Sequence, residues 1–300
     1  MFIIKYKKIF ITLSIALVTL SFVSMFYFGL KVGIDFKGGA ITEISYNENR
    51  PEQELLNQNV EVLGFGNILI QPTGEKGLIL KSRELTDTEH NTLLETLSIG
   101  GAYPFNEVAF NSIGPSVGNE LTLKAIVSVI LVSLAIILFI AYAFRKVSKP
   151  VSSFKYGIIA IVTLLHDVII PVGIFAVLSH YFGAEVDTLF VVAILTVLGL
   201  SVSDTIVIFD RIRENLSHAP SLSKEEFNKV VGQSLDQSFV RSIATSLTVI
   251  IVLLALVVWG PVSTKYFAMM LTFGMFFGTY SSICLASPLL VIVANSQKKN

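Results

Sequence analysis

The amino-acid sequence predicts a polytopic α-helical membrane protein, with six transmembrane helices and one small α+β domain inserted between helices 1 and 2. Three observations carry this. Hydrophobic residues fill 53% of the 300 positions and charged residues only 15%, whereas a soluble globule carries roughly 25% charge to coat its surface. The mean hydropathy is +0.71. Apolar runs recur at roughly the 20 helical residues that a hydrocarbon core of about 30 Å requires. Lys+Arg and Asp+Glu balance at 22 each, so no basic field invites nucleic acid. The single cysteine, Cys284, excludes an internal disulfide and any multi-cysteine cluster. The histidines, at 90, 166, 180 and 218, are scattered, and neither a metal nor a cofactor is expected.

Four runs are free of charge: Ile9–Leu30, Ala125–Phe144, Ser242–Thr264 and Tyr266–Gln297. Two more contain ionisable residues: Tyr156–Ala184 holds His166, Asp167 and His180, and Thr188–Phe209 holds Asp204. The first run follows Lys5, Lys7 and Lys8, but it is too long for a signal-peptide core. It ends in Phe26-Tyr27-Phe28-Gly29-Leu30 and not in a small-residue cleavage site, so it reads as an uncleaved anchor. Lys and Arg concentrate at the N-terminus, after the second span (Arg145, Lys146, Lys149, Lys155), after the fourth (Arg211, Arg213, Lys224, Lys229) and in the tail (Lys298, Lys299). By the positive-inside bias both termini face the cytoplasm and the insert lies outside. The expected divisions are residues 1–30, the external domain 31–120, spans 2–6 over 121–297 with a cytoplasmic amphipathic segment at 211–240, and a tail at 298–300. Within that segment, Leu222, Phe227, Val230, Val231 and Leu235 are spaced like a helix lying on the inner surface.

The insert carries 6 Lys/Arg against 13 Asp/Glu, a soluble composition. Ala40–Tyr46 alternates like a strand, Pro51–Leu63 reads as a helix, and Asn67–Gln71 and Leu78–Ser82 read as strands paired across Pro72-Thr73-Gly74. Thr86 with Glu89 three residues on is a capping-box start for a helix to about Ser98, and Val108–Ile113 closes as a strand. The order β-α-β-β-α-β predicts a ferredoxin-like split βαβ unit. Its residues contain no catalytic spacing, so a contact or lever module is expected and not an enzyme.

Asp204 is the most informative residue. It sits five residues before Phe209 in an apolar helix, about 8 Å inside the boundary at 1.5 Å per residue. A carboxylate there costs about 2.5–3.5 kcal/mol on insertion scales. It survives if protonated, wetted or met by a cation; the alternative is a polar contact gluing helices. Arg241, at the start of span 5 on the same side, is the candidate cation or an ordinary positive-inside anchor. His166 and Asp167 lie near mid-membrane, and Pro171 leaves the Asp167 carbonyl without its helical partner. The pair reads either as a proton-accessible spot or as a clasp on the kink. Gly199 with Ser203, and Gly274 with Gly278, have the small-xxx-small spacing of close helix packing.

Several strings together resemble the SecF family, the smaller half of the SecDF accessory complex of the bacterial Sec translocase. They are Gly33-Ile34-Asp35-Phe36-Lys37-Gly38-Gly39 after span 1, Ser112-Ile113-Gly114-Pro115-Ser116-Val117-Gly118 before span 2, the stretch Gly199–Asn215 containing Ser203-Asp204-Thr205 and Asp210-Arg211, Arg241–Thr248, and Gly278-Thr279-Tyr280-Ser281-Ser282 with Ala286-Ser287-Pro288. The resemblance covers nearly the whole chain; Ala244 departs from it, where relatives commonly carry Asn. It implies a fold of the resistance-nodulation-division type in the bacterial inner membrane, with no enzymatic activity. The implied partners are SecD, SecYEG with YajC and YidC, the emerging preprotein and membrane lipids. It also implies proton-driven promotion of export, with proton coupling at Asp204 and Arg241. The glycine-bearing strings holding Gly33, Asp35, Phe36, Gly38 and Gly39, and Gly114, Pro115 and Gly118, would then be hinges between spans and insert. The alternatives are a proton-driven exporter of small molecules or lipids from the same superfamily and a passive scaffold.

Overall fold

The computed structural model describes residues 2–66, 68–143, 152–217 and 223–297. Asn67, Arg145, Lys146, Lys149, His218, Leu222, Lys298 and Lys299 lie outside them. The chain divides into two units, Val32–Ile126 and the remainder, Met1–Lys31 with Val127–Asn300.

The inserted unit is built from β1 (Gly39–Tyr46), α-helix Gln53–Glu61, β2 (Leu69–Thr73), β3 (Gly77–Ser82), α-helix Asp87–Leu97 and β4 (Phe105–Ile113). The sheet order is β2-β3-β1-β4, and every neighbouring pair is antiparallel, as the split βαβ arrangement requires. On β1, Ala40, Thr42, Ile44 and Tyr46 are buried, the period-2 pattern of a strand with one covered face. They meet Leu56 and Val60 from the first helix and Leu93 and Leu97 from the second. The second helix starts where its capping box predicts: Thr86 and Glu89 satisfy each other's backbone N–H groups. β2 ends two residues later than the sequence pattern suggests, because Pro72 and Thr73 still pair, with Leu78 and Gly77. Pro72 is tolerated because β2 is an edge strand.

Numbering helices in chain order, α1 is Lys7–Phe28, α2 and α3 are the two helices of the insert, α4 is Pro115–Ala143, α5 is Ser153–Phe182, α6 is Thr188–Ser217 and α7 is Lys224–Trp259. The last span is α8 (Lys265–Ser281), a π-helical turn at Ser282–Ala286 and α9 (Ser287–Gln297). Among the described residues, six helical stretches are long and apolar enough to cross a membrane. The chain itself encloses 56% of the apolar window of α5 and 61% of the last span, against 11% of α1 and 6% of α4. The third and sixth spans therefore form the centre of the helical unit, and the first and second its rim.

The amphipathic segment is not a separate helix lying on a surface. It is the first half of α7, capped by Ser223 and Glu226 and unbroken to Trp259. Thirty-six residues span about 54 Å, well beyond a bilayer core, and no proline interrupts them. Phe227, Val231 and Leu235 pack with Ile212 and Leu216 of α6 and with Leu290 and Ala294 of α9. The apolar stripe is thus used up within the protein and is not left to meet lipid. The polar end of α6 pairs with it: Asn215 Nδ2 donates to Ser234 Oγ at 2.8 Å and to Gln237 Oε1 at 2.9 Å.

The π turn has a local cause. It ends two residues before Pro288, which has no N–H to give and whose ring would press on the carbonyl four residues back in a regular helix. Widening the turn relieves both, and it re-aims Ser281 and Ser282 into the bundle, where both are fully buried.

Candidate functional site

Around α6 the apolar bundle holds a seam of hydroxyls and two carboxylates. Asp204 is half-buried on α6. Its Oδ1 accepts a hydrogen bond from Ser242 Oγ of α7 at 2.7 Å, and its Oδ2 is buried with no hydrogen-bond partner among the described residues. Arg241 does not reach it as an ion pair: among the described residues the only hydrogen bond to Asp204 comes from Ser242, and Arg241 is exposed. Helix geometry explains the difference. The inward stripe of α7 runs Ser234, Ser238, Ser242, Ser246, all buried, and adjacent residues stand about 100° apart around a helix of 3.6 residues per turn. Ser242 points in, so Arg241 points out.

Asp167 is fully enclosed. Its Oδ1 lies 2.9 Å from His166 Nδ1, while its Oδ2 accepts from Ser201 Oγ of α6 and, at 2.7 Å, from Ser281 Oγ at the end of α8. The carboxylate joins three spans, and among the described residues its hydrogen-bond partners are the side chains of His166, Ser201 and Ser281. His166 lies against the Tyr280 ring, with centroids 6.0 Å apart, and Tyr280 is bonded in turn by Ser14 of α1 at 3.3 Å. Beside Asp204, Thr205 Oγ1 meets Ser282 Oγ at 2.9 Å, and Thr279 donates to Ser246 at 2.6 Å.

The paired small residues divide. A Cβ on Gly274 would come within 2.1 Å of Val197, and one on Gly278 within 3.3 Å of Ser201, so α8 lies against α6 along this line. Gly199 has nothing within 4 Å of such a Cβ, and Ser203 is exposed. These two meet no packing partner among the described residues, because they lie on the side of α6 turned away from α8.

The two glycine-bearing strings interlock within the inserted unit. Gly38 and Gly39 take φ of +79° and +139°, conformations that side chains disfavour. A Cβ on Gly118 would sit 2.9 Å from the Phe36 carbonyl oxygen, and one on Gly38 3.1 Å from Pro115. Gly33 caps the single turn Ile34–Lys37 that carries Asp35 and Phe36, and Gly114 lies against Glu84.

Sequence reasoning singled out the carboxylates but missed the hydroxyls that hold them, Ser201, Ser242 and Ser281, and the neighbouring hydroxyls Thr205, Ser246 and Ser282. A signal was present in the four-residue spacing of Ser234, Ser238, Ser242 and Ser246, and of Ser201 and Thr205, within apolar helices.

Comparison with known proteins fits this arrangement. Residues 98–296 match the family described as "Protein export membrane protein SecD/SecF, C-terminal". The chain is 40% identical to protein translocase subunit SecF of Thermobaculum terrenum, over 96% of this chain and 92% of that one. It is 31% identical to protein translocase subunit SecDF of Bacillus subtilis, over 94% of this chain but only 36% of that longer protein. The crystal structure of SecDF from Thermus thermophilus, a translocon-associated membrane protein, superposes with a TM-score of 0.81 at 28% identity, over 97% of this chain and 38% of that one. A chain that aligns over nearly its whole length with SecF proteins, and with 36–38% of the longer SecDF proteins, belongs to the SecD/SecF protein-export membrane protein family.

Proposed function

We propose that this chain is the SecF-type subunit of a protein translocase, and that it works beside a SecD-type half to promote preprotein movement across the inner membrane. The partnership rests on the fused relatives, in which one polypeptide carries both halves. SecYEG, YajC and YidC are further companions in this reading. Both termini lie in the cytoplasm, the insert faces outward to hold or release the emerging chain, and the chain's contribution is mechanical and not enzymatic.

The proposal for energy coupling rests on one observation: Asp204 keeps one oxygen on Ser242 and the other buried and unsatisfied. A buried acceptor without a donor is costly, and two occupants would relieve it. One is a proton on the carboxyl; the other is the Arg241 guanidinium, swung in from its exposed position. Alternation between them makes α6 and α7 a two-state pair whose balance follows proton supply. A proton falling through about 100 mV supplies about 2.3 kcal/mol, enough to bias such a pair. The movement passes to the insert through the strings at Gly33–Gly39 and Gly114–Gly118.

The test is proton-dependent preprotein export into inner-membrane vesicles. Asp204→Asn is expected to abolish the proton dependence while a SecD-type partner still co-purifies. Arg241→Lys is expected to impair it as well, since a point charge replaces a planar fork. Full proton-dependent export by Asp204→Asn would defeat the coupling role.

A further inference from the structure

The second carboxylate has properties that the coupling scheme above leaves unused. Asp167 is wholly enclosed, and His166 is 3% exposed. A carboxylate only accepts hydrogen bonds, so His166 Nδ1 carries the hydrogen that it shares with Asp167 Oδ1 at 2.9 Å. This leaves Nε2 as a bare lone pair, and Nε2 is buried with no hydrogen-bond partner among the described residues. The basic end of the pair is thus unpartnered, while the acidic end is held by hydroxyls.

The sealing groups have alternatives of their own. Ser281 Oγ lies 2.7 Å from Asp167 Oδ2 and 3.0 Å from the Gly278 carbonyl oxygen. One hydroxyl hydrogen serves one acceptor fully, so Ser281 has two positions available. Ser282 Oγ lies 2.9 Å from the same carbonyl and 2.9 Å from Thr205 Oγ1, and Thr205 follows Asp204 in α6. A chain of hydroxyls around the π turn therefore joins the surroundings of the two carboxylates.

We propose that His166 and Asp167 form a second proton-exchanging centre, loaded at His166 Nε2 and linked to the Asp204 helix through Ser201, Ser281 and Ser282. A proton from water adds to Nε2. The Nδ1–H bond then breaks as its hydrogen passes to Asp167 Oδ1. The products are a neutral imidazole with hydrogen on Nε2 and a neutral carboxyl group whose O–H donates back to Nδ1. Oδ2 has lost its charge, and with it the charge-assisted bonds from Ser201 and Ser281. Ser281 turns to the Gly278 carbonyl, competes there with Ser282 and frees Thr205. Falling pH loads the centre and rising pH unloads it.

The surrounding elements carry further ionisable groups. Lys265, Tyr266, Tyr280 and Cys284 come from the last span, Asp204, Asp210, Arg211, Arg213 and Glu214 from α6, and Lys224, Glu225, Glu226, Lys229, Asp236 and Arg241 from α7. Lys7, Lys8 and Tyr27 lie on α1, and α5 itself adds Lys155, Tyr156, His180 and Tyr181 toward its ends.

The inference deepens the reading of Asp204, so it is tested where Asp204 cannot contribute. The full-length Asp204→Asn chain is reconstituted in phosphatidylethanolamine–phosphatidylglycerol vesicles, and infrared difference spectra are taken between about pH 5 and about pH 9. A protonated-carboxyl C=O band is expected to titrate, to vanish with Asp167→Asn, and to move its midpoint by about one unit, tenfold in proton affinity, with His166→Gln. If Asp167→Asn does not fold, the His166→Gln and Ser281→Ala midpoints decide alone, and displacement of both is expected. Absence of a titrating band, or a band indifferent to these substitutions, overturns the proposal. Failure of the export test at Asp204 would leave this band in place, so the two readings fail separately.

Discussion

Replacing Gly274 by alanine should loosen the helix pair that carries Asp204. The added Cβ would fall 2.1 Å from Val197 Cγ2 and 2.9 Å from Cγ1, whereas carbon atoms rest at about 3.5–4.0 Å. One surface must retreat by about 1.5 Å at the nearer contact. Val197 cannot simply rotate away: it is 1% exposed, and a β-branched residue in a helix strongly prefers one χ1 rotamer. Overpacking of this kind costs about 1–3 kcal/mol, outweighing the gain in helix propensity of about 1 kcal/mol from removing a glycine. Thermal unfolding of the purified chain in detergent measures the balance. Gly274→Ala is expected to lower Tm by several degrees, and the double variant with Val197→Ala to recover part of the loss by vacating the contested space. Gly199→Ala is the control, since it meets nothing within 4 Å and should leave Tm unchanged or raised. Equal behaviour of the two glycine variants, or no recovery in the double variant, would refute the packing argument.

Three further outcomes are expected. Gly118→Ala, whose Cβ would come 2.9 Å from the Phe36 carbonyl oxygen, should separate the interlocked strings and raise amide exchange at residues 33–39, measured on the full chain. In the insert, the Arg83 guanidinium bonded to Glu89 holds its carboxyl down to about 2 from an ordinary 4.5. A lowered carboxyl supports the folded state above its unfolded value and loses that support as pH falls toward the folded one. Amide protection at the start of α3 should therefore decline between about pH 4.5 and about pH 2, and Glu89→Gln should abolish that dependence. Leu93→Ala, at a fully buried side chain, should destabilise the insert by about 2–5 kcal/mol, visible as a lowered denaturant midpoint for its exchange protection.

Much of this was legible in the residues because it depends on local periodicity. Alternation on β1 and the Thr86–Glu89 box marked their elements within a residue or two, and an apolar run needs no partner to reveal its length. The amphipathic half of α7 misled for a definite reason. A stripe such as Phe227, Val231, Leu235 has the same spacing whether lipid or protein covers it, and only the arrival of α6 and α9 decides which. Gly199 and Gly274 posed the same ambiguity, since a small residue permits close approach without requiring it.

By itself, then, the sequence determined the span count, the inserted β-α-β-β-α-β domain and the two intramembrane carboxylates, because hydropathy, period and charge are properties of neighbours along the chain. Only the tertiary structure decided what touches those carboxylates. It placed Ser242 and not Arg241 on Asp204, and it drew Ser201 and Ser281 onto Asp167. The physical reason is that a side chain's direction depends on the rotation of its helix against distant ones, and on a π turn set by Pro288 that no hydropathy pattern records.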